Sequence, residues 1–187
     1  EGRLEQIPSG GYAVRSFAIA DVFDAIELRG VMEGTAARLA AERGVAPARM
    51  KAIKQLVAEL DKCFRERPED MLFDQYVELN AEFHAMLAGL SGSEMMRREV
   101  ERASKLPFAS PSAFLEKQED VLAFRLSLVR AQWQHREIVS AIEMREGSRA
   151  EALAREHARL ARDNMEFVLD EDRSLIPRVP GLVLVSA

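Results

Sequence analysis

From Asp21 to about Asp170 the apolar positions recur every three or four residues, the period of helices that bury one face. Phe23, Ile26, Gly30, Gly34, Ala37 and Ala41 predict a first helix, with Asp21 as its N-cap and Gly44 as its stop. Pro47 suits the first turn of a second helix, carried by Ile53, Leu56, Val57 and Leu60 to about Phe64. A third is expected from about Asp70 to Leu90, where Ser91-Gly92 ends it, and Ser93 caps a short, charged fourth. Pro107 and Pro111 break the pattern. A long helix follows to about Glu146, with Gly147 as its stop. Ser148 and Glu151, three residues apart, predict a capping box for a last helix reaching about Asp170. The tail, with Pro177, Pro180 and Gly181, is not expected to be helical.

The first 17 residues follow another rule. Arg3–Ile7 and Tyr12–Phe17 are β-compatible segments joined by Pro8-Ser9-Gly10-Gly11, a turn signal. A lone hairpin is marginal in water, so it reads as the end of a domain whose beginning is absent. The expected architecture is all-α: an antiparallel bundle of six or seven helices behind a short β-hairpin. Residues 1–17 form the hairpin, 18–172 the bundle and 173–187 an irregular tail.

Composition narrows the function. The chain has 187 residues, enough for one domain with a real core. Twenty-six Lys and Arg against 31 Asp and Glu leave a net charge of −5, which disfavours nucleic-acid binding by this segment itself. A single cysteine, Cys63, excludes a disulfide framework and a Cys-rich zinc module, and reads as a structural thiol. No apolar run has the length to cross a bilayer, so no membrane partner is expected.

The three histidines carry the candidate chemistry. His135 falls within the stripe Val121, Phe124, Leu128, Ala131, Ile138 and Ile142 of the long helix. His157 falls within Ala150, Leu153, Ala154, Leu160, Ala161, Asn164 and Phe167 of the last one. His84 shares a stripe with Phe73, Val77, Asn80, Phe83 and Leu87, and Asn80 stands one turn before it. A core-facing stripe covers roughly 3/7 of a helix, so chance would put all three there with a probability of about 0.08. Buried imidazoles need partners, and three of them with an oxygen donor suit Zn²⁺, Ni²⁺, Mn²⁺ or a similar divalent ion. Trp133, beside the seam, reads as packing.

The chain also resembles the C-terminal effector-binding (FCD) domain of GntR-type bacterial transcription regulators, in the FadR-like subgroup. The resemblance rests on Ile26-Glu27-Leu28-Arg29-Gly30-Val31-Met32-Glu33-Gly34, on Asn80-Ala81-Glu82-Phe83-His84 before Leu90-Ser91-Gly92, on His135 with Ile138 and Ile142, and on Arg155-Glu156-His157. It implies that the hairpin is the end of a winged-helix wing, that the intact protein is a cytoplasmic homodimer, and that DNA is bound by an absent N-terminal domain. It implies a metal site of Asn80, His84, His135 and His157, where metal-binding members carry an Asp in place of Asn80. A neutral amide removes one negative charge from that site.

The resemblance further implies a small organic acid as effector, such as a sugar acid or hydroxy acid. Arg29 is the expected carboxylate clamp, with Glu33 one turn on as its alternative partner. Arg130, Gln132 and Asn164 are further candidates for effector contact. The rival readings are a helical-bundle metalloenzyme, a metal-free effector-binding domain and a purely structural dimerisation module. A carboxylate-bridged di-iron enzyme needs Glu-x-x-His pairs, but Gln132 and Ala154 stand three residues before His135 and His157. The chain is therefore read as a non-enzyme.

Overall fold

The structure, a computed structural model, describes residues 4–6, 10–14, 17–106, 108–113, 121–178 and 185–186. Six α-helices lie among them: α1 (Ile19–Arg43), α2 (Pro47–Asp61), α3 (Phe73–Gly89), α4 (Glu94–Ala103), α5 (Leu122–Glu143) and α6 (Gly147–Glu166). The expected all-α bundle is what the chain forms. Strands β1 (Leu4–Gln6) and β2 (Tyr12–Val14) pair antiparallel, with Gly10 and Gly11 at φ +86° and +104° in the turn. Pro8, Ser9, Pro107, Pro180 and Gly181 lie outside the described residues.

The helix ends differ from expectation in instructive ways. Helix α1 starts three residues early, and Asp21 caps it from the third position, its Oδ2 accepting the Ala18 N–H at 3.2 Å. Gly44, at φ +84°, closes it as expected. Helix α3 begins at Phe73 because Pro68–Asp70 forms a separate 3₁₀ turn. Ser93 caps α4 through the Met96 N–H at 3.3 Å.

Gly147 does not end α5, and Ser148 with Glu151 forms no capping box. Arg145 takes the left-handed conformation instead, at φ 63°. The Glu146 N–H returns to Ala141 O at 2.9 Å and the Arg145 N–H to Ile142 O at 3.1 Å, closing the helix as a Schellman turn. Gly147 then opens α6. Its backbone passes so close to α1 that a Cβ there would meet Glu42 Cγ at 3.1 Å and Arg38 Cγ at 3.2 Å. The tail is more ordered than its prolines suggest. Phe167–Glu171 continues α6 as a π turn, Arg173–Arg178 is 3₁₀, and Val185–Ser186 pairs parallel with Phe17–Ala18.

The main core lies between α2, α3, α5 and the alanine face of α1, with Ile53, Leu60, Tyr76, Phe83, Ile138 and Ile142 fully buried or nearly so. A second cluster, including Val22, Ile26, Phe124, Met165 and Val168, joins the start of α1 to the end of α6. Cys63 is buried in the main core, and burial pushes its thiol pKa up, as suits a structural residue. Trp133, expected to pack, is 55% exposed on the outer face of α5 beside Leu122, Leu126 and Val129. No described helix is long and apolar enough to cross a membrane.

Helices α1 and α6 approach closely because their contact is built from small residues. A Cβ at Gly34 would lie 2.9 Å from Arg155 Cγ and 3.0 Å from the Glu151 carbonyl oxygen, and one at Gly30 would lie 3.0 Å from Ala158 Cβ. Gly34→Ala should therefore lower stability by about 1–3 kcal/mol despite the better helix propensity of alanine. Thermal or urea unfolding measures this, and an unchanged or raised midpoint would contradict it.

Candidate metal and ligand site

His84 from α3, His135 from α5 and His157 from α6 meet inside the bundle at 6%, 0% and 7% exposure. Their Nε2 atoms point at one another. The His135–His157 Nε2 pair is 3.1 Å apart and the His157–His84 pair 3.3 Å. The metal-binding atoms of all three lie within 4.8 Å.

Each ring is held from behind. His84 Nδ1 lies 3.0 Å from Glu33 Oε1, His135 Nδ1 3.0 Å from Gln132 Oε1, and His157 Nδ1 3.1 Å from Gln134 Oε1. The Gln132 amide is itself oriented, since its Nε2 donates to Val57 O at 3.1 Å and to the Asp61 carboxylate. An ionised carboxylate and two amide oxygens can only accept. They therefore place the protons on Nδ1 and leave three Nε2 lone pairs converging on one point.

Charge agrees with this assignment for two of the rings. Burial, together with the neighbouring imidazoles, pushes the pKa of His135 and His157 well below the ordinary histidine value, so both are neutral. Burial alone would raise Glu33, but Arg29 and His84 outweigh it and hold its carboxyl down at about 2. Glu33 is thus a buried anion between a guanidinium and an imidazole. Its Oε2 lies 3.6 Å from Arg29 Nη1, and neither atom has a hydrogen-bond partner.

A cavity of about 40 Å³ adjoins His157, lined by Arg29, Tyr76, Asn80, Ser127, Asn164 and neighbouring apolar groups. Asn80 and Arg29 are buried and Asn164 half-buried at this wall. Arg29 Nη2 donates to the Ala158 carbonyl at 3.1 Å, which leaves Nε and Nη1 unpartnered. The structure thus gathers Arg29, Asn80, Asn164 and the three histidines. It does not bring Arg130 there: that side chain is half exposed and paired with Glu156 and Asp163. Gln132 also stands outside the cavity wall, behind His135. A second cavity of about 290 Å³ reaches Glu33 and His84 from the side of α4, and Pro111 borders both.

Sequence reasoning missed Glu33 and Gln134 as holders of the rings, and Tyr76 at the cavity. Glu33 has a weak signal, a carboxylate on the buried stripe of α1 one turn after Arg29. Tyr76 stands one turn before Asn80, where Val77 drew attention as the apolar position. Gln134 has no signal, because nothing in the pattern shows that α5 is covered on that side too.

The donor set fits a divalent cation. Around Zn²⁺ with nitrogens at 2.0–2.1 Å, a tetrahedron has edges of about 3.3–3.4 Å, close to two of the three separations, 3.1 and 3.3 Å, with all three atoms within 4.8 Å. Three imidazoles held through Nδ1 are the arrangement metals select, and Asn80 lies with His157 at the wall of the adjoining cavity.

A helical bundle around a three-imidazole centre defines the kind of domain this is. The model of the FCD domain family matches residues 24–160, and the chain belongs to that family. Its fold is similar to that of McbR/YncC from E. coli (TM-score 0.65, 13% identity, 91% of this chain and 78% of that one). It is also similar to GntR from Streptococcus agalactiae (TM-score 0.54, 20% identity, 86% of this chain and 74% of that one). No curated protein matches it in sequence.

The depressed histidines set the pH dependence of the metal-free protein. Below about pH 6.5 the unfolded chain protonates these rings and the folded one resists, so stability falls with pH by up to about 1.4 kcal/mol per ring per unit. Thermal melts of metal-stripped protein between pH 7.5 and 5.5 should show a steep loss, reduced in His135→Gln. A flat profile would contradict the neutral assignment.

Proposed function

We propose that the chain is the ligand-sensing and dimerisation domain of a bacterial transcription regulator. It binds a small organic acid beside a divalent ion of the Zn, Ni or Mn class. The observation that carries the reading is the convergence of three Nε2 atoms whose Nδ1 positions are all hydrogen-bonded to oxygen acceptors. His84, His135 and His157 would hold the ion with Asn80, and the ion would supply positive charge and open positions for ligand oxygens. Arg29, whose unpartnered nitrogens border the cavity, would take the carboxylate. Asn164 would bond a second polar group of the ligand. Arg130 and Gln132 lie outside the cavity wall and are not assigned to the ligand.

In this reading the chain works as a homodimer. DNA is contacted by a winged-helix domain ending in the β1–β2 hairpin, and residues 18–172 form the sensor. Ligand binding changes regulation only through different affinity for two states of the bundle. Helices α1 and α6 are suited to carry such a change, since both line the cavity and both reach the cluster beside β3 (Phe17–Ala18). The reading assigns no reaction to the site.

Metal analysis of protein purified without added metal tests the site. About one divalent ion per chain is expected in the wild type and less than about a fifth of that in His135→Ala. Gln134→Leu, which removes only the group that aims His157, should weaken the ion by about 10–100-fold. Equal metal content in wild type and His135→Ala would end the assignment.

A further inference from the structure

Helix α5 carries two apolar faces. Phe124, Leu128, Ala131, Ile138 and Ile142 are buried on its inner side with His135. On its outer side Leu122, Leu126, Val129 and Trp133 are each between 48% and 56% exposed. A helix at the surface of a bundle normally turns polar residues to water, and one that is apolar on both sides is covered on both. Spacings of four, three and four set the outer residues in one row over about three turns, the d-a-d-a pattern of a coiled-coil seam. About half of each side chain is exposed, together roughly 400 Å², a patch size that marks an interaction site on a single chain.

The row limits its occupant. It is symmetric about a point midway between Leu126 and Val129. A two-fold axis there sets Leu122 opposite Trp133 of a second copy, and Leu126 opposite Val129, so every apolar position meets an apolar one. The row ends at Trp133, because the next outward positions are Arg136, Ser140 and Glu143, and Arg136 and Glu143 are engaged with Asp61 and Lys54 of α2. A copy displaced by one turn would set Leu122 beside Arg136, so only one register matches all four residues. Arg130, at the edge of the row, is held by Glu156 and Asp163 of α6, and two copies do not bring bare guanidinium groups together. Two rows supply roughly 800 Å² of apolar surface. At the roughly 65% apolar share of homodimer interfaces the pair buries roughly 1,200 Å², the lower end of specific contacts.

We infer that Leu122, Leu126, Val129 and Trp133 form the seam between two copies of this chain, with α5 antiparallel to α5 of the copy and the two-fold axis between Leu126 and Val129. The inference rests on the homodimer of the proposed function and names its surface. Gln132 and Gln134, which hold His135 and His157, flank Trp133 in the chain, so the seam and the three-imidazole site share one helix.

Trp133 is the only tryptophan, which makes the seam directly observable. Sedimentation of the 187-residue chain between about 1 and 200 µM should show a reversible dimer with a dissociation constant of micromolar order. Trp133 emission should move to shorter wavelength over the same range, as the indole leaves water for the copy. Val129→Glu sets a carboxylate beside the axis in both copies and should weaken the dimer by at least about 100-fold. Its metal content, and its melting temperature at about 1 µM where the wild type is also monomeric, should match the wild type, since residue 129 faces water in the single chain. A second measurement keeps the native surface charge. Mixed Leu126→Cys and Val129→Cys chains should cross-link on mild oxidation faster than Ser140→Cys chains do with themselves, while Cys63 stays buried.

A dimer equally tight after Val129→Glu would overturn the inference and leave the sensor reading standing. So would a dimer that forms with Trp133 emission unchanged, or a cysteine pair that links no faster than Ser140→Cys. A wild type that stays monomeric throughout would overturn both the seam and the homodimer, and the metal content of the same preparations then decides the three-histidine site by itself.

Discussion

Three imidazole nitrogens with lone pairs turned toward one another, 3.1 and 3.3 Å apart among buried side chains, repel unless something positive lies among them. The bundle keeps this arrangement by holding every ring at its far nitrogen. Glu33 from α1 and Gln132 and Gln134 from α5 do the holding, while the rings come from α3, α5 and α6. Four of the six helices thus converge on one point. The buried carboxylate of Glu33 also ties the metal-type donors to Arg29, and through it to the adjoining cavity.

The rest of the packing serves that convergence. Glu33 reaches His84 because α1 runs through the middle of the bundle, and it runs there because Gly30, Gly34, Ala36, Ala37, Ala40 and Ala41 leave room for neighbouring helices. A helix with large side chains at those positions would stand farther off and leave His84 without its acceptor. The same close contact places Arg29 against the Ala158 carbonyl next to His157. Tight helix packing and site chemistry are therefore one design.

Much of this was legible in the sequence, since the 3–4 period with the Ser93 cap of α4 located the six described helices, and the period put each histidine on a buried stripe. Helix ends were less legible. Gly147 reads as a stop in isolation, but its missing side chain serves the approach of α1, while Arg145 supplies the left-handed turn. Polar partners were least legible. Gln134 lies off the apolar stripe of α5 and is buried only because α6 covers that flank, a fact of tertiary packing. Arg130 shows the converse: its place shortly before His135 suggested the cavity, yet carboxylates on α6 hold it at the surface.

The central claim is that the three histidines share one ion. X-ray absorption at the metal edge of the zinc-loaded protein counts imidazoles directly. The account predicts three imidazole nitrogens at about 2.0–2.1 Å together with oxygen donors. A shell of oxygens with one imidazole or none would place the ion elsewhere and contradict the account.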